Sequence, residues 1–221
     1  MTSDDLAEVL IAHLPAAAVT WIETARTRMA AAPGVIHELF PAVGRCCGRA
    51  ALRTGQDTIR GWTVDDAVRS LLLGMLPLPT PQLLITVRQL YSNGDAAERR
   101  GVLRALTLLG QRPDFGAGGV PIVTDALRTN DPRLIGAALG DYAVTYLDDT
   151  EYRQAVLKCV FYGIPLTDVA GLSERADTDL VRSLRNYALE RETAGRGVPA
   201  DVRSFIGESQ ERTRARAIQA P

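Results

Sequence analysis

The 221-residue chain carries 25 basic and 26 acidic residues, a net charge of −1, and 46% hydrophobic residues, enough apolar surface for a continuous core. That balance offers no basic footprint for nucleic acid, and the longest apolar run, near Leu71 to Leu78, is broken by Gly74 and Pro77, far short of the ~20 residues a membrane span needs. Aromatics are only 5% beside an Ala- and Leu-rich apolar set, which favours helix over sheet and sets the expectation of an all-α fold.

In chain order, Asp4 can cap a first short helix reaching about His13, and Pro15 fits the first turn of a second that Pro33-Gly34 stops. Val35 to Leu52 reads as helical with a break or restart at Pro41, because proline removes a donor inside a helix. Thr63-Val-Asp-Asp66 is a capping-box-like start of a helix ending near Met75, and Thr80-Pro81 opens the next, closed at Ser92-Asn93-Gly94. Asp95 with Glu98 caps a helix through Leu109, and Gly116 to Gly119 reads as a flexible turn. A helix from about Val120 to Thr129 follows, then Asp131-Pro132 repeats the start signal. Asp149 or Thr150 starts a helix through Tyr162, a long one spans about Glu174 to Ala194, and a short one spans Pro199 to about Gly207. The expected organisation is one helical-repeat domain over 1–207 and a charged, disordered tail over 208–221, which lacks apolar periodicity.

Leu90-Tyr-Ser-Asn93 recurs as Leu127-Arg-Thr-Asn130, each at a turn between helices, at a spacing of roughly 37 residues, near the ~40–47 of HEAT and armadillo repeats. Together with helices of matching order, this leads us to expect HEAT/armadillo-like stacked antiparallel helix pairs, a short α-solenoid. Acidic Asp4, Asp5 and Glu8 stand where a signal peptide would carry basic charge, so a cytoplasmic protein is expected. Cys46, Cys47 and Cys159 match neither a disulfide framework nor a CxxC spacing, and read as reduced packing residues.

Tyr91 to Arg100 (YSNGDAAERR), Val102 to Leu106, Asp125 to Asp131, Tyr152 to Val160 and Gly171 to Asp177 together resemble the EboA family. These strings cover about the last two thirds of the chain, and Phe40 to Arg49 extends the likeness toward the start. The family comprises bacterial proteins encoded in a cluster associated with secondary metabolism and with moving metabolite precursors toward the periplasm. The cluster's neighbours resemble a prenyltransferase-like membrane protein, sugar-phosphate-processing barrels and a metal hydrolase. The resemblance implies a pathway setting and transfers no catalytic residue.

Among chemically capable residues, a Cys–His pair of His37 with Cys46 or Cys47 is conceivable, but buried packing is the ordinary state of free cysteine. Metal-ligand spacing is absent, so no cofactor is expected, and Asp65-Asp66 and Asp148-Asp149 sit where helix caps belong. Lys158, the lone lysine, shares a solvated face with Glu151 and Gln154. Arg45, Arg49 and Arg53 fall at i, i+4 and i+8, with no acid between Glu38 and Asp57, so a helix there would stack them on one face. Arg99, Arg100 and Arg104 form a second basic cluster, and either set suits an anionic metabolite or an acidic protein partner. The expected function is a non-catalytic adaptor or binding module with protein partners from its pathway. The alternative is a small-molecule site or enzyme pocket built from Tyr91, Arg100, Tyr142, Tyr146 and Lys158.

Overall fold

Side-chain caps start many of the helices of this computed structural model, which describes residues 1–53, 59 and 61–219. Thr2, rather than Asp4, caps α1 (Ser3–His13): its hydroxyl accepts from the Asp5 N–H while the Asp5 carboxylate takes the Thr2 N–H. Pro15 precedes α2 (Ala16–Ala31), and a 3-10 turn at Pro33–Val35 leads into α3 (Ile36–Cys46). Helix α3 runs through Pro41 instead of breaking there, because Ile36, Leu39, Phe40 and Val43 are all buried and their packing offsets the lost hydrogen bond. It stops at Cys46, well short of Leu52, and Gly48 turns the chain at φ +91°.

Ala51 and Thr63 then form an isolated antiparallel bridge, the Leu52 N–H donating to the Trp62 carbonyl. The first compact unit, Met1–Tyr146, continues with α4 (Val64–Gly74), α5 (Thr80–Asn93), α6 (Ala96–Leu109), a 3-10 turn at Gly116–Gly119, α7 (Val120–Arg128), α8 (Pro132–Ala138) and α9 (Asp141–Tyr146). Every residue of α4 from Val64 to Leu73 is buried, under α1, α2, α3 and most extensively α6. Burial of Leu71, Leu72 and Leu73 contributes about 1.5–3 kcal/mol per side chain. Consecutive helices α5 and α6, and α7 and α8, do pack on each other. The organising contact, however, is the non-consecutive α4–α6 pair, and α4 keeps no face for solvent.

The second compact unit, Leu147–Pro221, divides off where the sequence reading carries a single domain on to 207. It holds α10 (Asp149–Tyr162), a 3-10 turn at Leu166–Asp168, α11 (Leu172–Arg175), α12 (Thr178–Thr193) and α13 (Ala200–Gln219). The expected long helix over 174–194 is split, because the Asp177 side chain accepts from the Leu180 N–H and caps α12 afresh. Helical backbone also passes Gly207 and reaches Gln219, within the stretch expected to be a tail. The Ala-, Arg-, Glu- and Gln-rich sequence there has strong helix propensity without needing an apolar stripe, and residues 220 and 221 lie outside the described ones. Among the described residues there is no helix long and apolar enough to cross a membrane.

Candidate functional site

The start of α4 builds a buried polar cluster. Its cap residue Thr63 gives its N–H to Asp66 Oδ2 at 3.1 Å and its hydroxyl to Asp65 Oδ1 at 2.5 Å. One turn on, Arg69 Nη1 pairs with Asp65 Oδ2 at 2.6 Å, both side chains fully buried. Arg69 Nε donates to the Phe40 carbonyl at 3.2 Å, and the guanidinium lies 5.5 Å from the Phe40 ring centre. From α6, Arg100 Nε meets both Asp66 oxygens at 2.7 and 3.0 Å while its Nη2 donates to the Thr63 hydroxyl at 2.9 Å. Two guanidinium and two carboxylate groups thus cancel, and each carboxylate oxygen accepts at least one hydrogen bond. The cluster fastens α3, α4 and α6 together. Sequence reasoning placed Asp65 and Asp66 at a helix cap and passed over Arg69; the available signal was the i, i+4 Asp65–Arg69 spacing within an otherwise apolar helix.

The six arginines singled out from the sequence have different fates. Arg45 sits in the last turn of α3, but Arg49 and Arg53 lie beyond its end, so the stripe on one helix face does not exist. Arg49 folds back over α3, its Nε 2.5 Å from where a Cβ on Gly44 would stand. All three are exposed, and no carboxylate pairs with any of them among the described residues, although Asp95 feels the charge of Arg49. On α6 the guanidinium groups serve the fold instead. Arg100 belongs to the buried cluster with its side chain 19% exposed, Arg99 lies over the Tyr91 ring at 5.3 Å, and Arg104 lies over Trp62 at 5.6 Å.

The tyrosines each have their own partners. Tyr91 donates its hydroxyl to Asp125 Oδ2 at 2.9 Å, and burial, with that bond, pushes its pKa up. Tyr142 donates to the Gly116 carbonyl at 2.7 Å and accepts from the Gly119 N–H at 2.9 Å, which pins the glycine-rich segment read as a flexible turn. Tyr146 packs on the Tyr142 ring at 4.6 Å between centroids. Lys158 belongs to the second unit, where it is half-buried with its ammonium 5.5 Å from the Tyr162 ring centre rather than freely solvated.

Two of the three thiols are poor nucleophiles. Burial, then the neighbouring Cys46, push Cys47 up to about 12 against the opposing pull of Arg69, and burial takes Cys159 up to about 12 as well. Iodoacetamide at pH 8 is therefore expected to label exposed Cys46 and spare Cys47 and Cys159; tryptic peptide mapping reads the order, and fast labelling of Cys47 would contradict it. No group of three or more His, Cys, Asp or Glu residues among the described ones could hold a metal ion.

The second unit carries an open cleft of about 420 Å³, with a floor of Leu166, Val169, Leu172 and Phe205 and carboxylates from Glu174, Asp201 and Glu208. Asp201 Oδ2 accepts from the Leu166 N–H at 2.7 Å and holds the floor in place. Nearby on α10, Phe161 is 69% exposed and meets Tyr187 edge-on. The family model described as metabolite traffic protein EboA matches residues 2–207 of the chain. No curated protein and no solved structure matches it.

Proposed function

The chain belongs to the EboA family, and from that premise we propose that it serves metabolite traffic as a non-catalytic binding module, docking an acidic protein partner on Arg45, Arg49 and Arg53. One observation carries the reading. In the first unit Arg28 is matched to Glu38, Arg69 to Asp65, Arg100 to Asp66 and Arg133 to Asp131, and Arg26 and Arg128 stand singly exposed, whereas Arg45, Arg49 and Arg53 follow one another around the end of α3, all exposed with no carboxylate partner among the described residues. Guanidinium forks left available in this way suit carboxylates presented by another surface. Stacked, HEAT-like helix pairs enter the reading at α5–α6 and α7–α8, whose consecutive packing supports them. Three free thiols support a reducing, cytoplasmic setting.

A second reading, a small-molecule binder, is favoured by the cleft of the second unit, whose volume of about 420 Å³ lies in the range of ligand sites. Retention experiments separate the two. A chain carrying Arg45→Glu, Arg49→Glu and Arg53→Glu, tagged and exposed to lysate of the native host, is expected to lose the proteins that the unaltered chain holds. The unaltered chain should lose them as salt rises, since exposed charge pairs are screened within ~10 Å at 0.1 M. Mass spectrometry of retained proteins and small molecules provides the readout. An unchanged protein set with the triple variant would remove this surface, and a small molecule retained by both chains would favour the cleft.

A further inference from the structure

We infer that Cys46 is a thiolation site, where an anionic low-molecular-weight disulfide such as oxidised glutathione forms a mixed disulfide whose carboxylates meet Arg45, Arg49 and Arg53. Two adjacent thiols of unlike exposure carry the inference, together with the arginines around them. Cys46 is exposed in the last turn of α3, while Cys47 caps that helix half-buried. Arg45 precedes the exposed thiol, Arg49 and Arg53 follow it, and none of the three has a carboxylate partner among the described residues. A helix C-terminus by itself disfavours an anion, so these cations are what makes an anionic adduct favourable there. Arg49 lies over Gly44, on the far side of the helix from Cys46, since two residues turn the helix by about 200°. An extended tripeptide spans roughly 10 Å, close to the ~10–12 Å diameter of a helix, and so reaches around it.

The step is a thiol–disulfide exchange. The Cys46 thiolate attacks one sulfur of the small disulfide, the new S–S bond forms as the old one breaks, and Cys46 is oxidised. The other half leaves reduced and takes up the proton that Cys46 gave. Cys47 does not displace the adduct. Burial and the neighbouring Cys46 hold its thiol up at about 12, and the thiolate is the attacking form. Geometry opposes closure of the pair as well, because consecutive helical side chains diverge by about 100° whereas a disulfide needs Cβ atoms about 3.8 Å apart. Closure would have to unwind the turn that the Cys47 N–H holds on the Val43 carbonyl at 2.8 Å. The adduct therefore persists, and it excludes an acidic partner when small disulfides accumulate, a consequence that rests on the reading of this surface as the docking site.

Intact-mass spectrometry of the reduced full chain, incubated at pH 8 with oxidised glutathione or with neutral hydroxyethyl disulfide, tests the site. One adduct per chain is expected, located on Cys46 by peptide fragmentation, lost in Cys46→Ser and kept in Cys47→Ser. Relative to the same thiol in the urea-unfolded chain, folded Cys46 should favour the glutathione disulfide by about tenfold at low salt. Arg45→Glu, Arg49→Glu and Arg53→Glu together should remove that preference. An adduct on Cys47 or Cys159, loss of two hydrogens through closure of the pair, or the absence of a charge preference overturns the inference. Lysate retention by the Cys46 adduct keeps the docking reading separate. Proteins lost both from the adduct and from the triple arginine variant support the switch. Proteins lost from the triple variant but held by the adduct overturn the switch, whereas proteins held by both overturn the docking reading and leave the Cys46 site standing.

Discussion

Asp65→Ala is expected to destabilise the first unit by about 3–5 kcal/mol, the cost of leaving a buried charge without its partner. Arg69 would keep the Phe40 and Ala97 carbonyls but lose its carboxylate among the described residues, and the Thr63 hydroxyl would lose its acceptor. Against a typical domain stability of about 5–15 kcal/mol, that loss is large enough to shift the denaturation midpoint severely. Both tryptophans, Trp21 and Trp62, lie in the first unit, so urea titration followed by tryptophan fluorescence reads that unit alone. Combining Asp65→Ala with Arg69→Met should recover much of the loss, because apolar replacement of a whole buried pair is often close to neutral. A single variant that unfolds at the same urea concentration as the unaltered chain would show that the pair does not anchor α4.

Gly101→Ala should also destabilise, against the helix-propensity gain of about 1 kcal/mol that the change brings in a helix interior. The added Cβ would stand 2.6 Å from Arg69 Cδ and 2.9 Å from Arg69 Cβ. The second of these is fixed to the α4 backbone, so α4 and α6 must separate and the hydrogen bonds across them lengthen. Overpacking of this kind costs about 1–3 kcal/mol, enough to reverse the sign of the propensity term. Gly34, where a Cβ would meet nothing within 4 Å, is the control, and Ala there should be nearly neutral. Fluorescence-monitored urea midpoints compare the two, and a gain in stability for Gly101→Ala would contradict the close α4–α6 approach.

Local chemistry made much of the architecture readable. Thr63, Asp95 and Asp131 open helices as their side chains predict, since a cap is a contact within a few residues. Boundaries that depend on distant packing were not readable: α3 survives Pro41 because its apolar face is buried, and it ends at Cys46 although Ala50 to Leu52 could have continued it. The candidate residues divide along the same line. That Arg45, Arg49 and Arg53 lack nearby acids in sequence was visible, but their placement around a helix end was not. Arg100 looked like a member of a surface cluster because its partners, Asp66 and Thr63, are more than thirty residues away and meet it only through α4–α6 packing. The cleft is likewise assembled from the Leu166–Asp168 turn, α11 and α13, segments that no single sequence window joins.

The division of the arginines into those that hold the fold and those left for a partner is tested most directly by measuring melting temperature and protein retention together for Arg49→Ala and Arg100→Ala. Arg100→Ala removes the bifurcated Nε–H contact to buried Asp66 and should lower the melting temperature with retention falling only in proportion to folded protein. Arg49→Ala should leave the melting temperature unchanged while retention falls and becomes more sensitive to salt. A stable Arg100→Ala chain, or an Arg49→Ala chain that retains its protein partners in full at low and high salt, would contradict the account.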